Sequence, residues 1–287
     1  MQESNDGLVV DGVLRVHLRS FKQLFEFSQF FHDSAGGYYF RGQADGNWKL
    51  TTTLERFESE LSNYVGGARE TLLKDFKRLI RGKGLLSGIN PSSDEDFFSL
   101  GQHYGLPTPL LDWTEAFYIA LFFAFADEVP KDAENVAVWV IHRSAAEAME
   151  HHNSVAQELA AAISATPPLE MKFVDPYTDV NSRLISQSGI LLQKPSGVCI
   201  ETVISNYCRG NSSSPVLMKL TMPVSERASV INNLFAMNIN WSTIYPGVEG
   251  AAKHATMKLQ MLDLYVRRIG QAGVVQHSSK SIAGRVE

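Results

Sequence analysis

The chain has 287 residues, enough for one large domain or two small ones, and its 44% hydrophobic residues can fill a substantial core. Charged residues make up 20% and the net charge is -5, which excludes a wholly disordered chain and an overall basic surface for nucleic acid. A local basic face is still conceivable, although charge runs of this kind are usually solvated helix faces. Its candidates are Lys74, Lys77, Arg78, Arg81 and Lys83.

Cysteine use and hydropathy indicate the compartment. Cys199 and Cys208 are the only cysteines, and neither has a metal-ligand or disulfide spacing, which favours a reducing environment. The sequence starts without a signal-peptide pattern, and the longest apolar stretch, Phe117–Ala126, is shorter than the about 20 residues that a membrane-spanning helix needs. We therefore expect a soluble cytoplasmic protein, with no membrane contact and no bound metal ion.

The first third of the chain is predicted to be mainly helical. Apolar residues at helical spacing predict a helix over Leu14–Phe31, and the aromatic run Tyr38–Arg41 predicts a short strand. Thr51 to Thr53 can cap the helix that comes next. Further helices follow from near Leu54, over Arg69–Ile80 and over Asp94–Leu100.

The rest of the chain mixes strands and helices. A polar loop over Gln102–Thr114 is predicted to run straight into an apolar helix over Ala116–Ala126, and Asn135–His142 is a β-branched, aromatic strand. The later strands are predicted over Arg183–Gln193, Val198–Ile204 and Val216–Met222, and the later helices over Ala145–Ala165, Ser225–Asn233 and Gly250–Tyr265.

Strands interleaved with helices along the whole chain predict an α+β fold, and no repeat or long linker divides the sequence. We expect a flexible N-terminus over residues 1–12, one domain over residues 13–269 and a flexible C-terminal tail over residues 270–287.

The first candidate site is the run Tyr38-Tyr39-Phe40-Arg41-Gly42-Gln43. An arginine at the end of an aromatic strand can present its guanidinium group to a phosphate, and Gly42 would let the ligand approach the backbone. The alternative is a buried ion pair between Arg41 and an acidic residue such as Asp112, because a buried guanidinium needs a partner.

The second candidate site is the block Gln102 to Thr114. His103-Tyr104 is either a packing pair or part of a binding loop. Asp112 or Thr114 can cap the following helix, whose N-terminus is also suited to an anion. Trp113 is either a core residue or a platform for a nucleobase or a nicotinamide ring.

Together the two blocks resemble the FRG-domain family, which is named for its (F/Y)RG motif and has a second signature of the form QHYG…LLDWT…ALFFA. Later elements of the family pattern resemble Arg183 to Gly189 and Tyr245 to Gly250, so the resemblance extends from about Phe21 to Tyr265. One departure is Pro109, which stands where an arginine is usual before the LLDWT run.

FRG domains in turn resemble ADP-ribosyltransferases of the arginine-serine-glutamate class. This implies a split β-sheet core surrounded by helices, with NAD as a substrate. Arg41 would bind the NAD phosphates, Thr114 would help to shape the nicotinamide pocket, and Tyr104 would stack on the nicotinamide. The NAD-binding residues implied are Tyr39, Arg41, Gly42, Gln43, Tyr104, Asp112, Trp113 and Thr114.

The same resemblance expects a catalytic glutamate on a late strand, where this chain has Gln187, whose amide carries no charge. Glu201, on the next predicted strand, and Glu249 are the alternative carboxylates. The catalytic candidates are therefore Arg41, Gln187, Glu201 and His103.

The resemblance implies a mono-ADP-ribosyltransferase toxin of bacterial anti-phage defence, with a cognate antitoxin as its partner. The acceptor would be a macromolecule, with nucleic acid ahead of protein and RNA ahead of DNA. One alternative is a noncatalytic module that binds a nucleotide or a partner protein, which Gln187 favours. Another is a nuclease toxin, for which His103 with Asp112 would have to act as the acid-base pair.

Overall fold

The computed structural model describes residues 7–10, 12–32, 37–61, 66–81, 91–126, 129–151, 171–175, 182–194, 197–211 and 216–283. The described part is built on one eight-stranded sheet with the order β1-β2-β8-β5-β3-β4-β7-β6. All neighbouring strands are antiparallel except β2 and β8. The strands are β1 (Leu8–Val10), β2 (Val13–His17), β3 (Tyr38–Gln43), β4 (Leu110–Thr114), β5 (Asn135–His142), β6 (Lys172–Val174), β7 (Gly189–Gln193) and β8 (Leu217–Pro223).

Helices cover both faces of this sheet. In chain order they are α1 (Phe21–His32), α2 (Thr53–Glu60), α3 (Ala68–Ile80), α4 (Asp94–His103), α5 (Phe117–Ala126), α6 (residues 143–151 of the described part), α7 (Ser182–Ser186), α8 (Ile200–Asn211), α9 (Arg227–Ala236), α10 (Trp241–Ile244) and α11 (Val248–Ala283). In the part of the chain that the structure describes, no helix is both long enough and apolar enough to cross a membrane.

The sheet consists of two halves joined at a narrow seam between β3 and β4. Strand β3 pairs with β5 over all six of its residues, and β4 pairs with β7 over all five. Between β3 and β4 the ladder contains the single pair Phe40 and Thr114. Beyond that pair the two strands separate, so the sheet opens next to Arg41.

Side-chain alternation along the strands gives each face of the sheet its own core. Helix α5 packs on one face, where Phe40, Val138 and Val140 meet Ala120 and Ala124. The opposite face carries Tyr39, Trp113 and Trp139, which pack against α6 and α8. A third cluster, on the α5 side of β4 and β7, packs α3, α4 and α7 and is formed by Leu73, Phe98, Leu110, Leu184 and Leu191.

The prediction of one domain with mixed helices and strands is confirmed. Strands Tyr38–Arg41, Asn135–His142 and Val216–Met222 lie where the sequence predicts them. Helix α2 begins at the predicted cap, because Thr52 and Glu55 form a reciprocal capping box. Strand β1 lies within the N-terminal segment expected to be flexible, and α11 continues past residue 270, while residues 152–165 of the predicted alanine-rich helix lie outside the described residues.

Four predictions of secondary structure are wrong. Residues 14–17 belong to strand β2, so the first helix begins only at Phe21, and residues 110–114 form strand β4 rather than a loop. The predicted strand Arg183–Gln193 is a short helix followed by a shorter strand. The predicted strand Val198–Ile204 falls mostly in helix α8, whose buried residues Ile200 and Ile204 are four positions apart.

Candidate active site

A cavity of about 300 Å³ lies at the seam between the two halves of the sheet. Its walls come from both separated strands and from the helices that flank them. Phe40, Arg41 and Gly42 line it from β3; Asp112, Trp113 and Thr114 from β4; Ser99, Gln102 and His103 from α4; Ala120 and Phe123 from α5; and Leu184, Gln187, Leu191 and Tyr245 complete it. Seven of the predicted binding or catalytic residues thus line one cavity, namely Arg41, Gly42, His103, Asp112, Trp113, Thr114 and Gln187.

Arg41 ties the two strands together where their ladder ends. The half-buried Arg41 donates a hydrogen bond from Nη1 to the backbone carbonyl oxygen of Asp112 across 2.5 Å. The contact that the structure gives is therefore with the backbone of Asp112, whereas the sequence suggested its carboxylate. This leaves the carboxylate available for other partners.

The carboxylate of Asp112 is held by α4. Gln102 donates from Nε2 to Oδ1 of Asp112 at 2.6 Å, and its own Oε1 accepts a short hydrogen bond from the hydroxyl group of Thr108. Because Thr108 is fully buried, it fixes the orientation of the Gln102 amide. Gln102 was not among the predicted site residues, although it begins the QHYG block.

The QHYG block forms the C-terminal end of α4 and the turn that follows it. Gly105 has a φ of +86°, and the helix ends with the bonds from Leu106 N to Gly101 O (2.9 Å) and from Gly105 N to Gln102 O (3.1 Å). This stop leaves Gln102 and His103 facing the cavity on the last turn. Tyr104 lies outside the cavity lining and is 60% exposed, with its ring edge-on to His103.

Thr114 connects the seam to the loop that carries Gln187. Its buried hydroxyl group donates to the backbone carbonyl oxygen of Gln187 at 2.6 Å and accepts from the backbone N–H of Ala116 at 3.0 Å. The second bond stabilises the turn into α5, so the capping role that the sequence offered falls to Thr114. The amide of Gln187 contacts the carbonyl oxygen of Ile244 at 3.5 Å, beside Tyr245.

Gly42 has a packing role. A Cβ atom at this position would lie 2.0 Å from the carbonyl oxygen of Ala120 and 2.7 Å from the backbone nitrogen of Ala124. The absent side chain therefore lets α5 pack directly on β3, which positions the α5 wall of the cavity. The structure thus gives this glycine a reason that does not depend on a ligand.

Tyr39 and Gln43 are buried on the face of the sheet that points away from α5. The ring of Tyr39 packs against Phe173 at 4.5 Å, and burial raises the pKa of its hydroxyl group. The Gln43 amide donates to Lys49 O and accepts from the indole N–H of Trp139 at 2.7 Å. Both side chains are therefore built into the scaffold.

The two late glutamates lie outside the cavity lining. Glu201 is in the first turn of α8, where its carboxylate accepts from the thiol of Cys199 at 2.8 Å. Glu249 is in the first turn of α11 and forms an ion pair with Lys253 at 3.1 Å. The prediction that Glu201 follows Gln187 on an adjacent strand is wrong, because that stretch is helical.

Tyr245 is a lining residue that sequence reasoning did not single out, although it begins the last block of the family pattern. Its ring lies 6.3 Å from that of Phe123 in an edge-on arrangement, so two aromatic side chains stand at the same end of the lining. Within the described residues, no group of three or more His, Cys, Asp or Glu side chains could hold a metal ion.

Comparison with known protein families identifies a match in the first half of the chain. Residues 36–133 match the model of the FRG domain, a stretch that includes both signature blocks and the strands and helices on either side of the seam. The later elements around Gln187 and Tyr245 lie beyond it. Neither the comparison with curated proteins nor that with solved structures found a match. The match therefore supports the FRG-domain family as the one to which residues 36–133 are similar.

Proposed function

We propose that this protein is a mono-ADP-ribosyltransferase that transfers ADP-ribose from NAD to a macromolecular acceptor. The observation that carries the proposal is the guanidinium group of Arg41 in a cavity at the seam of a divided sheet, beside Asp112, His103 and Gln187. A planar guanidinium group matches the oxygens of a diphosphate.

The lining suits the rest of the substrate. The rings of Phe123 and Tyr245 offer apolar contact to a flat nicotinamide ring, and the polar groups of α4 and β4 suit a ribose. Breaking the N-glycosidic bond of NAD develops positive charge on the ribose carbon, as glycoside cleavage does. Anchoring the diphosphate would hold that carbon in a geometry suited to attack.

The acceptor and the biological setting rest on the family resemblance. We propose nucleic acid ahead of protein, RNA ahead of DNA, and a cytoplasmic toxin of anti-phage defence that is neutralised by an antitoxin. The net charge of -5 disfavours tight nonspecific binding to nucleic acid. On α3, Lys77 pairs with Asp94 at 2.5 Å and Arg78 with Asp75 at 3.1 Å, which favours a solvated helix face.

Two other functions have an observation in their favour. Gln187 has an uncharged amide where the resemblance expects a glutamate, which supports a noncatalytic module that binds a nucleotide or a partner. His103 and Asp112 line the same cavity, as the nuclease alternative requires.

The decisive experiment incubates the purified protein with radiolabelled NAD and whole-cell lysate, which is then fractionated into RNA, DNA and protein. We expect label in one fraction and its loss with Arg41→Ala. Arg78→Ala, which removes an exposed arginine of α3, is the matched control and should label like the wild type. Circular dichroism would establish that each variant is folded.

Each outcome separates the candidates. If no fraction takes up label but the folded protein still binds NAD, the noncatalytic module is favoured. If RNA or DNA is cut while NAD is unchanged, the nuclease is favoured.

A further inference from the structure

We infer that Asp112 supplies the catalytic carboxylate of the proposed transfer reaction. This inference rests on the proposed function and deepens it, because the late glutamate that the resemblance expects is replaced by Gln187. The reaction needs a negative charge beside the ribose, and a preorganised contact of this kind is worth roughly 100-fold or more in rate.

Asp112 is the one carboxylate among the described residues that line the cavity. Gln187 shares the cavity but cannot become negative. Glu201 belongs to α8, whose residues Ile200 and Ile204 pack on the opposite face of the sheet. Glu249 is paired with Lys253 on α11. Among the described residues that line the cavity, Asp112 on β4 is thus the one that can supply the negative charge.

The carboxylate is already oriented before any ligand binds. The hydroxyl group of Thr108 donates to Oε1 of Gln102, so the other end of that amide must face Asp112 and donate to its Oδ1 at 2.6 Å. A carboxylate oxygen accepts more than one hydrogen bond, and Oδ2 remains for a ribose hydroxyl group. Gln102 is thus a positioning residue for Asp112.

The backbone of Asp112 also fixes the position of its carboxylate relative to Arg41. The guanidinium group contacts the backbone carbonyl oxygen of Asp112 at 2.5 Å, and β4 is held by five residue pairs with β7. The positive group of β3 and the negative group of β4 are therefore held at the same point of the seam. This arrangement suits a substrate with an anionic diphosphate next to a ribose that becomes cationic.

In the reaction, the bond between the ribose C1′ and the nicotinamide nitrogen breaks, and its electron pair leaves with neutral nicotinamide. The carboxylate of Asp112 accepts a hydrogen bond from a ribose hydroxyl group and stabilises the positive charge on the sugar. An oxygen or nitrogen atom of the acceptor then forms the new bond to C1′ and releases its proton to water. Charge and atoms balance without any further reactant.

The test compares Asp112→Asn with wild type. The substitution keeps the shape of the side chain and an oxygen that can accept from Gln102, so the fold should be preserved. We expect the turnover rate to fall about 100-fold or more, with NAD affinity, measured by calorimetry, within about threefold of wild type. Asp75→Asn, at an exposed carboxylate of α3 outside the cavity lining, is the matched control and should keep wild-type turnover and affinity. Glu201→Gln tests the rival carboxylate, and the inference predicts that it keeps its turnover.

Gln102→Ala tests the positioning role. Because it leaves the carboxylate in place but unoriented, we expect a fall in turnover smaller than that of Asp112→Asn, with KM unchanged. If Asp112→Asn keeps more than a tenth of wild-type turnover, or if Glu201→Gln loses it, the inference is wrong. A wild-type protein that consumes no NAD with any acceptor fraction would instead defeat the proposed function itself.

Discussion

Three residues of the (F/Y)RG motif have structural roles at the seam, whether or not a ligand is bound. In the Tyr-Phe-Arg-Gly run, Phe40 supplies the last pair of the β3–β4 ladder, and Arg41 bridges the gap that follows. Gly42 provides the room for α5. Only Arg41 has a side chain suited to an anionic ligand, so loss of activity on mutating the motif has two distinct causes.

Gly42→Ala should act through stability. A methyl group 2.0 Å from the carbonyl oxygen of Ala120 must push α5 away from β3, and we expect a loss of about 3 kcal/mol in the free energy of unfolding. Urea denaturation measures this loss. At Gly46 a Cβ atom would meet its nearest neighbour, the carbonyl oxygen of Asn135, at 3.2 Å, so Gly46→Ala should cost clearly less. Equal losses in the two variants would refute the packing role.

At the scale of elements, α4 matters most because its last turn carries Gln102 and His103. Its first turn is closed by a capping box in which Ser93 and Asp96 bond each other's backbone N–H groups. Burial raises the pKa of Asp96, but the hydrogen bonds from Ser92 and Ser93 outweigh it and leave that pKa below its ordinary value of 3.8.

The capping box predicts an acid-sensitive contribution to stability. Because the pKa of Asp96 is lower in the folded protein, its stabilisation is present above pH 3.8 and is lost as the pH falls through the folded value. Asp96→Asn should therefore lower the free energy of unfolding by about 1 kcal/mol at pH 7. Urea denaturation of both proteins at pH 7 and at pH 2 checks this. A difference in the free energy of unfolding that stays constant down to pH 2 would contradict it.

The elements also show what sequence patterns can predict. Asn135–His142 was predicted to the residue, because a run of β-branched and aromatic residues suits a central strand buried on both faces. The same residue types misled at Val198–Ile204, where Ile200, Val203 and Ile204 face the core at helical spacing. The composition of that stretch favoured a strand, while its periodicity indicated the helix.

The candidate site was predictable only in part, for a related reason. Arg41, Asp112 and Thr114 stand in short blocks rich in polar and aromatic residues, which mark them in the sequence. Gln102 begins one of these blocks, but its role depends on contacts with Thr108 and Asp112, and Tyr245 lies 131 positions beyond Thr114 in the sequence. The blocks mark these two residues, but the sequence does not show which tertiary contacts they make.

At the scale of the whole molecule, the β3–β4 ladder that joins the two halves of the sheet is a single residue pair, to which Arg41 adds its bond to Asp112. On the face away from α5, a shared core continues across the seam and packs Tyr39 against Phe173. Separate cores are confined to the α5 side of the sheet, where one half packs on α5 and the other on α4 and α7. A ligand that contacts both walls would add bonds across the seam. Binding should therefore couple the halves more tightly than the unliganded protein does.

Hydrogen exchange can measure this coupling. With saturating NAD, we expect the amides of Leu110–Thr114 and Tyr38–Gln43 to exchange more slowly, because the ligand bridges the strands that separate at the seam. The amides of Asn135–His142, which are paired on both sides in the middle of one half, should change least. Arg41→Ala should remove the effect, since it removes both the bond across the seam and the contact proposed for the diphosphate. Slowing confined to one side of the seam would mean that the ligand binds a single half, and the bridging role would then be wrong.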